Sequence, residues 1–375
     1  MIFHYLKIAF RNLCKYKTQN VISIIGLAVG LLCFCVCIYC NRFVENTDHC
    51  FANHDRIAEL NLYDSKADRY FSGSPVPLAE ELRTWALGET EAISSVTYPR
   101  ERPYYVELSP EKTLPYELET IEIDTCYNKI FTPELVAGHW KMASQSLNSV
   151  ILSQSMAIKI FGNAESAIGK HMTLMRRLNT SPESTPKTGG IVYTIQAVMK
   201  DIPLNNSLDF MQNIDMLTVN DSEGLLQSPK RHNMTGANTY VLLSPQTTCT
   251  DLEKQFSKRD YTYTLYGEAY TVTASSMGAR LKKQGASYLG LVTGTVGTLI
   301  LLVGLINFFH FLIGSFFNRT KEYSIMKMIG CNWKQLFYLL FTQSLIVISI
   351  SSILVLSGIE LLGNHMNFSL PGFAM

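Results

Sequence analysis

The sequence of 375 residues has little net charge, because 32 Lys and Arg stand against 31 Asp and Glu and leave a formal charge of +1. Proteins that bind nucleic acid through a basic surface usually carry a clear positive excess. The composition therefore argues against that class, and we expect no nucleic-acid partner.

A disulfide framework is also missing, although the chain holds nine cysteines. Four of them lie in one apolar run: Cys33, Cys35, Cys37 and Cys40. We interpret these four as small apolar residues. Cys14 and Cys331 fall in segments that we expect in the cytoplasm. Only Cys50, Cys126 and Cys249 remain, and an odd number allows at most one disulfide among them.

Signatures of catalysis are few. The chain has no H-E-x-x-H zinc motif and no G-x-S-x-G nucleophile motif. Residues 162–170 end in Gly-Lys and are followed by His171, and both their spacing and this His depart from the pattern of a phosphate-binding loop. One group of metal-ligand types crowds together: Asp48, His49, Cys50, His54 and Asp55. A single regular helix could not bring all five to one ion, so we interpret the group as a solvated segment near the membrane. We expect no catalytic residue, cofactor or metal.

Long hydrophobic runs are what the sequence does have. Residues 21–40 form an apolar run of 20 residues, enough for a helix across roughly 30 Å of hydrocarbon. A second run covers residues 287–317 and a third covers 336–362. At about 1.5 Å per residue the second would measure roughly 45 Å, so it should tilt or project as a stalk. The first run is too long for a cleaved signal peptide, and no A-x-A site follows it.

Lysine and arginine near these spans indicate the orientation. Eight of them flank the cytoplasmic sides: Lys7, Arg11, Lys15, Lys17, Arg319, Lys321, Lys327 and Lys334. Residues 363–375 have none. We therefore expect the N-terminus and residues 318–335 in the cytoplasm, and residues 41–286 and 363–375 outside. Arg280, Lys282 and Lys283 oppose this charge pattern, but large translocated domains largely escape the rule.

Residues 1–20 are predicted to form an amphipathic helix that lies in the membrane interface. Its apolar face would hold Phe3, Leu6, Phe10 and Leu13, and its basic face His4, Lys7, Arg11 and Lys15. Such a helix turns its basic face toward anionic headgroups, which makes membrane lipids a partner. A helix that binds a specific protein is the alternative.

The outer region, residues 41–286, is predicted to be a mixed α+β domain inserted between transmembrane helices. Helices are indicated at 78–87 and at 153–161, where Ser153 precedes the helix and Gly162 ends it. A capping box from Thr250 to Glu253 opens a third helix.

Strands in the same domain are indicated at 191–199 and 239–243, where residue character alternates with a period of two. Residues 179–190 and 220–238 are rich in Ser, Pro, Gly and Asn. Those two segments are expected to be exposed loops.

Small residues recur every fourth position in two spans, at Gly26, Gly30, Gly290 and Gly294. Glycines at this spacing let helix backbones approach closely, so we predict that spans one and two pack together. A chance occurrence is the alternative. Asn307 and His310 are polar residues inside the second span, which we interpret as bonds to a neighbouring helix rather than as a relay.

Three segments carry a family resemblance. Residues 6–13 read L-K-I-A-F-R-N-L and precede the first span. Residues 150–162 read V-I-L-S-Q-S-M-A-I-K-I-F-G, and I-G-K, K-D-I-P and N-S follow downstream. Residues 319–330 begin with R-T-K-E and end with K-M-I-G. Together these segments resemble the MacB/FtsX-type permeases of ABC transporters across nearly the whole chain.

The resemblance implies a permease subunit of an exporter or mechanotransmission complex in the bacterial cytoplasmic membrane. Its expected partners are a separate ABC ATPase, a second permease copy or half, and other envelope proteins. In this family, closure of the ATPase dimer is transmitted through stalk helices to a periplasmic domain. The contact with the ATPase maps onto seven residues of the loop 318–335: Arg319, Glu322, Tyr323, Met326, Lys327, Ile329 and Gly330.

Physical chemistry supports such a loop. Glu322 lies near the start of a short helix, where a negative charge favours the helix dipole. Tyr323, Met326 and Ile329 would form one apolar face that enters a groove in a partner, with Lys321 and Lys327 at its rim. An ordinary basic hairpin is the alternative.

One departure from the family concerns the number of spans. The family unit has four, whereas three are predicted here, so we expect a longer permease of which this chain is a part. A membrane-anchored sensor or binding protein is the other candidate class. It should continue into a long cytoplasmic signalling helix, but only 18 residues, 318–335, separate the second and third spans.

Overall fold

The computed structural model describes residues 8, 11, 15, 17–71, 73–85, 87–109, 112–141, 148–174, 191–209, 212–219, 235–265, 267–279 and 287–366. The chain divides into two compact units. The membrane unit contains residues 1–45 and 285–375, and the other contains residues 46–284. The second is called the outer domain below.

Four helices make up the described part of the membrane unit. They are α1 (Lys17–Glu45), α6 (Ser287–Asn318), α7 (Thr320–Met328) and α8 (Trp333–Met366). Three of them, α1, α6 and α8, are long and apolar enough to cross a membrane. The 1–20 helix predicted from the sequence lies mostly outside the described residues, but Ile8, Arg11 and Lys15 are helical.

Helix α1 packs against both of the other long helices. Leu27 of α1 is buried with Phe308 and Phe311 of α6 and with Val347 of α8. The hydroxyl of Ser351 on α8 also donates a hydrogen bond of 3.1 Å to the carbonyl of Ile24.

Half of the outer domain is a closed barrel of six strands: β5 (Arg100–Ser109), β6 (Lys112–Ile123), β8 (Ser149–Ser153), β9 (His171–Leu174), β10 (Ile191–Met199) and β11 (Met216–Val219). The circuit closes because β11 pairs with β8 on one side and with β6 on the other. Every strand contributes a fully buried apolar side chain to one core: Tyr104, Leu118, Val150, Met172, Ile195 and Met216.

The other half is an open antiparallel sheet in the order β4 (Thr90–Thr97), β12 (Thr235–Leu243), β1 (Ile57–Asp64), β14 (Glu268–Ser276) and β13 (Thr262–Leu265). Helices α2 (Pro77–Arg83) and α5 (Cys249–Lys258) pack on it through Leu82 and Phe256. The remaining elements are short: β2 (Arg69–Phe71), β3 (Ser74–Pro75), α3 (Tyr127–Phe131), β7 (Leu135–Gly138) and α4 (Gln154–Phe161). The mixed helix-and-strand class predicted from the sequence is therefore confirmed.

Two local predictions in the outer domain are confirmed. Ser153 is the N-cap of α4, and its hydroxyl accepts a hydrogen bond from the N–H of Met156. The helix ends at Gly162, whose φ of 87° lies in the left-handed region that favours glycine. The strand expected at 191–199 is β10.

Other local predictions need correction. The helix expected at 78–87 ends at Arg83, because the N–H groups of Thr84 and Trp85 bond three residues back and tighten the last turn. The capping box is formed by Thr248 and Asp251, two residues before the expected position.

Of the two expected loops, one lies wholly and the other partly outside the residues that the structure describes. Residues 179–190 lie entirely outside the described ranges, as do residues 220–234. The remainder of the second loop, residues 235–238, is wrong as a loop because it begins strand β12. Pairing with β3 and β4 holds this stretch in extended form.

The group near Asp48 is not a solvated segment throughout. Asp48 is buried, and its carboxylate accepts hydrogen bonds from the backbone N–H and the hydroxyl of Ser207. The rings of His49 and His54 lie with their centroids 4.4 Å apart. Within the described residues, no cluster of His, Cys, Asp and Glu suited to a metal ion is found.

Candidate coupling site

The segment between α6 and α8 is built around the short helix α7. Helix α6 ends at Asn318, and the residue after it, Arg319, is the N-cap of α7. At the far end of α7, Gly330 has a φ of 97°. The N–H of Gly330 donates a hydrogen bond to the carbonyl of Lys327, and the N–H of Cys331 donates one to the carbonyl of Met326. These two bonds form a Schellman motif, which stops a helix and favours glycine at this position. Residues 319–332 are called the coupling segment below.

Three apolar side chains of the coupling segment are exposed. Ile325, Met328 and Ile329 are 52%, 79% and 81% exposed to solvent. The neighbouring Lys321 and Lys327 are exposed as well. Exposed apolar residues that cluster beside basic ones are typical of a surface that binds another protein. We call Ile325, Met328 and Ile329 the apolar patch.

The apolar face expected at Tyr323, Met326 and Ile329 is wrong for Tyr323, whereas Ile329 is exposed and Met326 is partly exposed. Tyr323 is buried and packs on Phe316 of α6, with ring centroids 5.6 Å apart. Met326 is half-buried and lines a shallow pocket with Trp333 and Leu336 of α8. The phase of α7 is set by this packing, which turns the opposite side of the helix outward.

Arg319 does not lie on the surface either, although the family resemblance implied that it contacts the ATPase. It is 1% exposed, and its Nη1 donates a hydrogen bond of 3.0 Å to Oε1 of Gln343 on α8. Gln343 donates in turn to the hydroxyl of Ser315 on α6, at 3.4 Å. The guanidinium is thus engaged inside the membrane unit.

Glu322 lies in the first turn of α7, as expected, and pairs with Lys15 of the N-terminal segment at 2.8 Å. Both side chains are largely exposed, and an exposed pair of this kind contributes about 1 kcal/mol or less. The contact nevertheless shows that the N-terminal segment reaches the coupling segment.

The four glycines predicted at a helix contact all lie where α1 and α6 meet. A Cβ atom on Gly30 would lie 3.3 Å from the Cα of Gly304, and one on Gly26 would collide with the side chain of Asn307. Gly290 and Gly294 both face Asn41, whose Oδ1 accepts a hydrogen bond of 3.1 Å from the Thr293 hydroxyl.

Further contact residues were missed from the sequence. Gly297 faces Cys37, and Gly304 faces Gly30. The spacing of Gly290, Gly294, Gly297 and Gly304 is four, three and seven residues, which places all of them on one face of a helix and could have revealed them. His310, by contrast, is exposed on α6.

Comparison with known families adds one match. Residues 294–374 match the family described as FtsX-like permease C-terminal. This region includes most of α6, all of α7 and α8, and so the whole coupling segment. No curated protein matches the chain.

Solved structures that are similar to the chain include the following three. A domain of a permease protein from Porphyromonas gingivalis is 21% identical with a TM-score of 0.44, over 60% of this chain and 93% of that one. The periplasmic region of MacB from Actinobacillus actinomycetemcomitans is 14% identical with a TM-score of 0.41, over 65% and 97%. The extracellular domain of the noncanonic ABC-type transporter YknZ from Gram-positive bacteria is 12% identical with a TM-score of 0.36, over 58% and 99%. At such low values these similarities carry no functional argument by themselves.

Proposed function

We propose that this chain, which belongs to the MacB/FtsX-type permease family of ABC transporters, couples a separate cytoplasmic ATPase to the outer domain of the permease. The family membership rests on the match of residues 294–374 to the FtsX-like permeases. Members of this family are permease components of ABC transporters and are not themselves the catalytic subunit. ATP hydrolysis would accordingly occur on the partner.

The observation that carries the proposal is the apolar patch on α7. Ile325, Met328 and Ile329 protrude from a short helix held between two helices that can cross a membrane. Apolar side chains exposed at this position have no lipid role if the segment projects from the bilayer. A groove on an ATPase subunit would bury them, and burial of apolar area is the main favourable term in most protein association.

The rim of the patch suits the same partner. Lys321 and Lys327 are exposed on α7 and would face acidic groups around the groove. Charges at the rim of an interface mainly accelerate association and select the partner, whereas the apolar centre supplies most of the affinity. We place this surface in the cytoplasm, the outer domain on the far side, and the chain in the bacterial cytoplasmic membrane beside a second permease copy or half.

Transmission would run along the chain itself. In the chain, α6 follows the outer domain and is followed at once by α7, and α8 begins after the Schellman turn. Closure of an ATPase dimer would displace α7, and α6 would carry that displacement outward as a stiff rod. Exporter and mechanotransmission roles both use this route, so the proposal covers the coupling step common to them.

The test replaces Ile325 or Ile329 by Glu in the full permease, together with the ABC ATPase encoded nearest to its gene. An unpaired carboxylate in a desolvated contact costs about 3 kcal/mol or more. That corresponds to a loss of affinity of more than about a hundredfold. We expect both variants to lose co-purification with the ATPase and to lose permease-stimulated ATP hydrolysis.

Ile158→Glu is the matched control. Ile158 lies on α4 of the outer domain and is 49% exposed, close to the 52% of Ile325. The substitution has the same chemistry at a similar exposure but lies outside the coupling segment, so it should leave ATPase binding intact. If Ile325→Glu and Ile329→Glu insert normally and bind the ATPase as well as Ile158→Glu does, α7 is not the coupling element.

A further inference from the structure

A buried arginine stands at the junction of three helices in the membrane unit. Arg319 is among the largest fully buried side chains of the described residues. It links the end of α6 to the start of α7, and it bonds Gln343 on α8. Gln343 and its second partner, Ser315, are buried as well. We call these three residues the polar junction.

Burial of a guanidinium is costly unless its N–H groups are bonded. An arginine that served only as a surface charge would remain in water, as Lys321 and Lys327 do. Here the chain keeps the cation inside and places a carboxamide against it. Hydrogen bonds from a charged donor are about twice as strong as neutral ones. The polar junction therefore holds the first turn of α7 against α8 as well as against α6.

The backbone of Arg319 contributes to the same arrangement. Its carbonyl accepts the first hydrogen bond of α7, from the N–H of Tyr323 at 2.9 Å, and its own N–H bonds the carbonyl of Phe316 at 3.1 Å. Tyr323 then packs on Phe316. A displacement of α7 would thus reach α6 through the backbone and α8 through the Arg319 side chain.

We propose that Arg319 is a positioning residue, which fixes α7 to α8 through Gln343 so that α6 and α8 both move with α7. The consequence for transport rests on the proposed function, but the positioning itself does not. An arginine in direct contact with the ATPase would instead determine binding affinity. The two roles therefore differ in what a substitution changes.

The first experiment uses the full permease in nanodiscs without any ATPase, so that it is independent of the proposed function. Hydrogen–deuterium exchange is followed in the amides of residues 320–328. Arg319→Gln and Gln343→Leu should each accelerate exchange by roughly tenfold or more, since α7 loses its bond to α8. Lys321→Gln, at an exposed position of α7, is the control and should leave exchange unchanged.

The exchanged pair Arg319→Gln with Gln343→Arg provides the rescue. It keeps one guanidinium and one carboxamide in the polar junction, so exchange should return most of the way to that of the unmodified chain. A general folding defect would not be repaired in this way. If Arg319→Gln leaves exchange unchanged, or if the pair is no better than either single variant, the positioning role is refuted.

The second experiment adds the ATPase and separates binding from stimulation. With Arg319→Gln, we expect the maximal stimulated rate at saturating ATPase to fall by about fivefold or more, with a change in apparent affinity under about twofold. The exchanged pair should restore the rate. A loss of affinity with an unchanged maximal rate would assign Arg319 to the partner contact and overturn the proposal. If no ATPase binds even the unmodified chain, the proposed function fails, whereas the exchange result still decides the positioning.

Discussion

The carboxylate of Asp48 accepts the backbone N–H of Ser207 at 2.6 Å and also its hydroxyl. The N–H of Asp48 returns a bond of 2.9 Å to the carbonyl of Asn205. A Cβ atom on Gly278 would lie only 2.8 Å from Oδ2 of Asp48. One buried carboxylate thus holds the residues that follow α1 to the loop before β11, and the residues that follow β14 pass close beside it.

Replacement of Asp48 by Asn should destabilise the outer domain. The backbone of Asp48 has a φ of 69°, which Asn tolerates, so the change removes the charge without adding backbone strain. Loss of hydrogen bonds to a buried charged acceptor should lower the free energy of unfolding by about 1.5–3 kcal/mol. Denaturant unfolding followed by tryptophan fluorescence measures it. Asp260→Asn, at an exposed position with a φ of 47°, is the control, and an equal loss in both variants would contradict the role of the buried contact.

Replacement of Gly30 by Leu should separate α1 from α6. The backbones meet at Gly30 and Gly304, so the added side chain has no room and overpacking should cost about 1–3 kcal/mol. A cysteine pair at positions 41 and 293, whose side chains are now in contact, reports the separation through lower disulfide crosslinking in a chain without other cysteines. Val29→Leu, on the exposed side of α1, should leave crosslinking as it is. Equal crosslinking in both variants would show that the glycine contact is dispensable.

Two carboxylates of the outer domain should affect the pH dependence of stability in opposite directions. Burial raises the pKa of Asp209 from 3.8 to about 6. Its contribution to the stability of the folded domain is therefore present below the ordinary pKa and is lost as pH rises through the raised pKa. Hydrogen bonds from Thr248 and Lys254 lower the pKa of Asp251 to about 2. Its contribution to the stability of the folded domain is therefore present above the ordinary pKa and is lost as pH falls through the lowered pKa.

Asp209→Asn should therefore raise the unfolding temperature relative to the unmodified chain as pH increases from about 4 to about 7. Asp251→Asn should lower the unfolding temperature at about pH 7, and this difference should shrink toward acid. Thermal unfolding from about pH 2 to about pH 7 measures both variants, because the pKa of Asp251 is lowered from 3.8 to about 2. Shifts of the same sign for the two would mean that burial does not hold the proton on Asp209.

The proposed orientation predicts which positions a membrane-impermeant thiol reagent reaches. A cysteine at Ser184, which lies between β9 and β10 in the sequence, should react when only the outer membrane has been permeabilised and the cytoplasmic membrane is intact. A cysteine at Ser324, exposed on α7, should react only after the cytoplasmic membrane is permeabilised. The reverse pattern would place the apolar patch outside the cell and remove the basis for an ATPase contact.

Several features of the molecule could be read from short stretches of sequence because their causes are local. The lengths of the three apolar runs predicted three helices able to cross a membrane, since bilayer thickness sets that length. Ser153 and Gly162 marked the two ends of α4, because a cap bond and a left-handed φ depend on residues only a few positions apart.

The outward side of α7 was decided by tertiary structure. Its sequence allows several apolar faces, and only the packing of Tyr323 on Phe316 turned Ile325 and Met328 toward solvent. Arg319 looked like a surface cation because no periodicity indicates a partner 24 residues away, and Gln343 approaches it only in the folded arrangement of the helices. Closure of the barrel through β11 and β6 is equally non-local. Contacts between residues distant in sequence leave no local pattern, and for that reason only the folded chain determined which residues face a partner and which hold the helices in place.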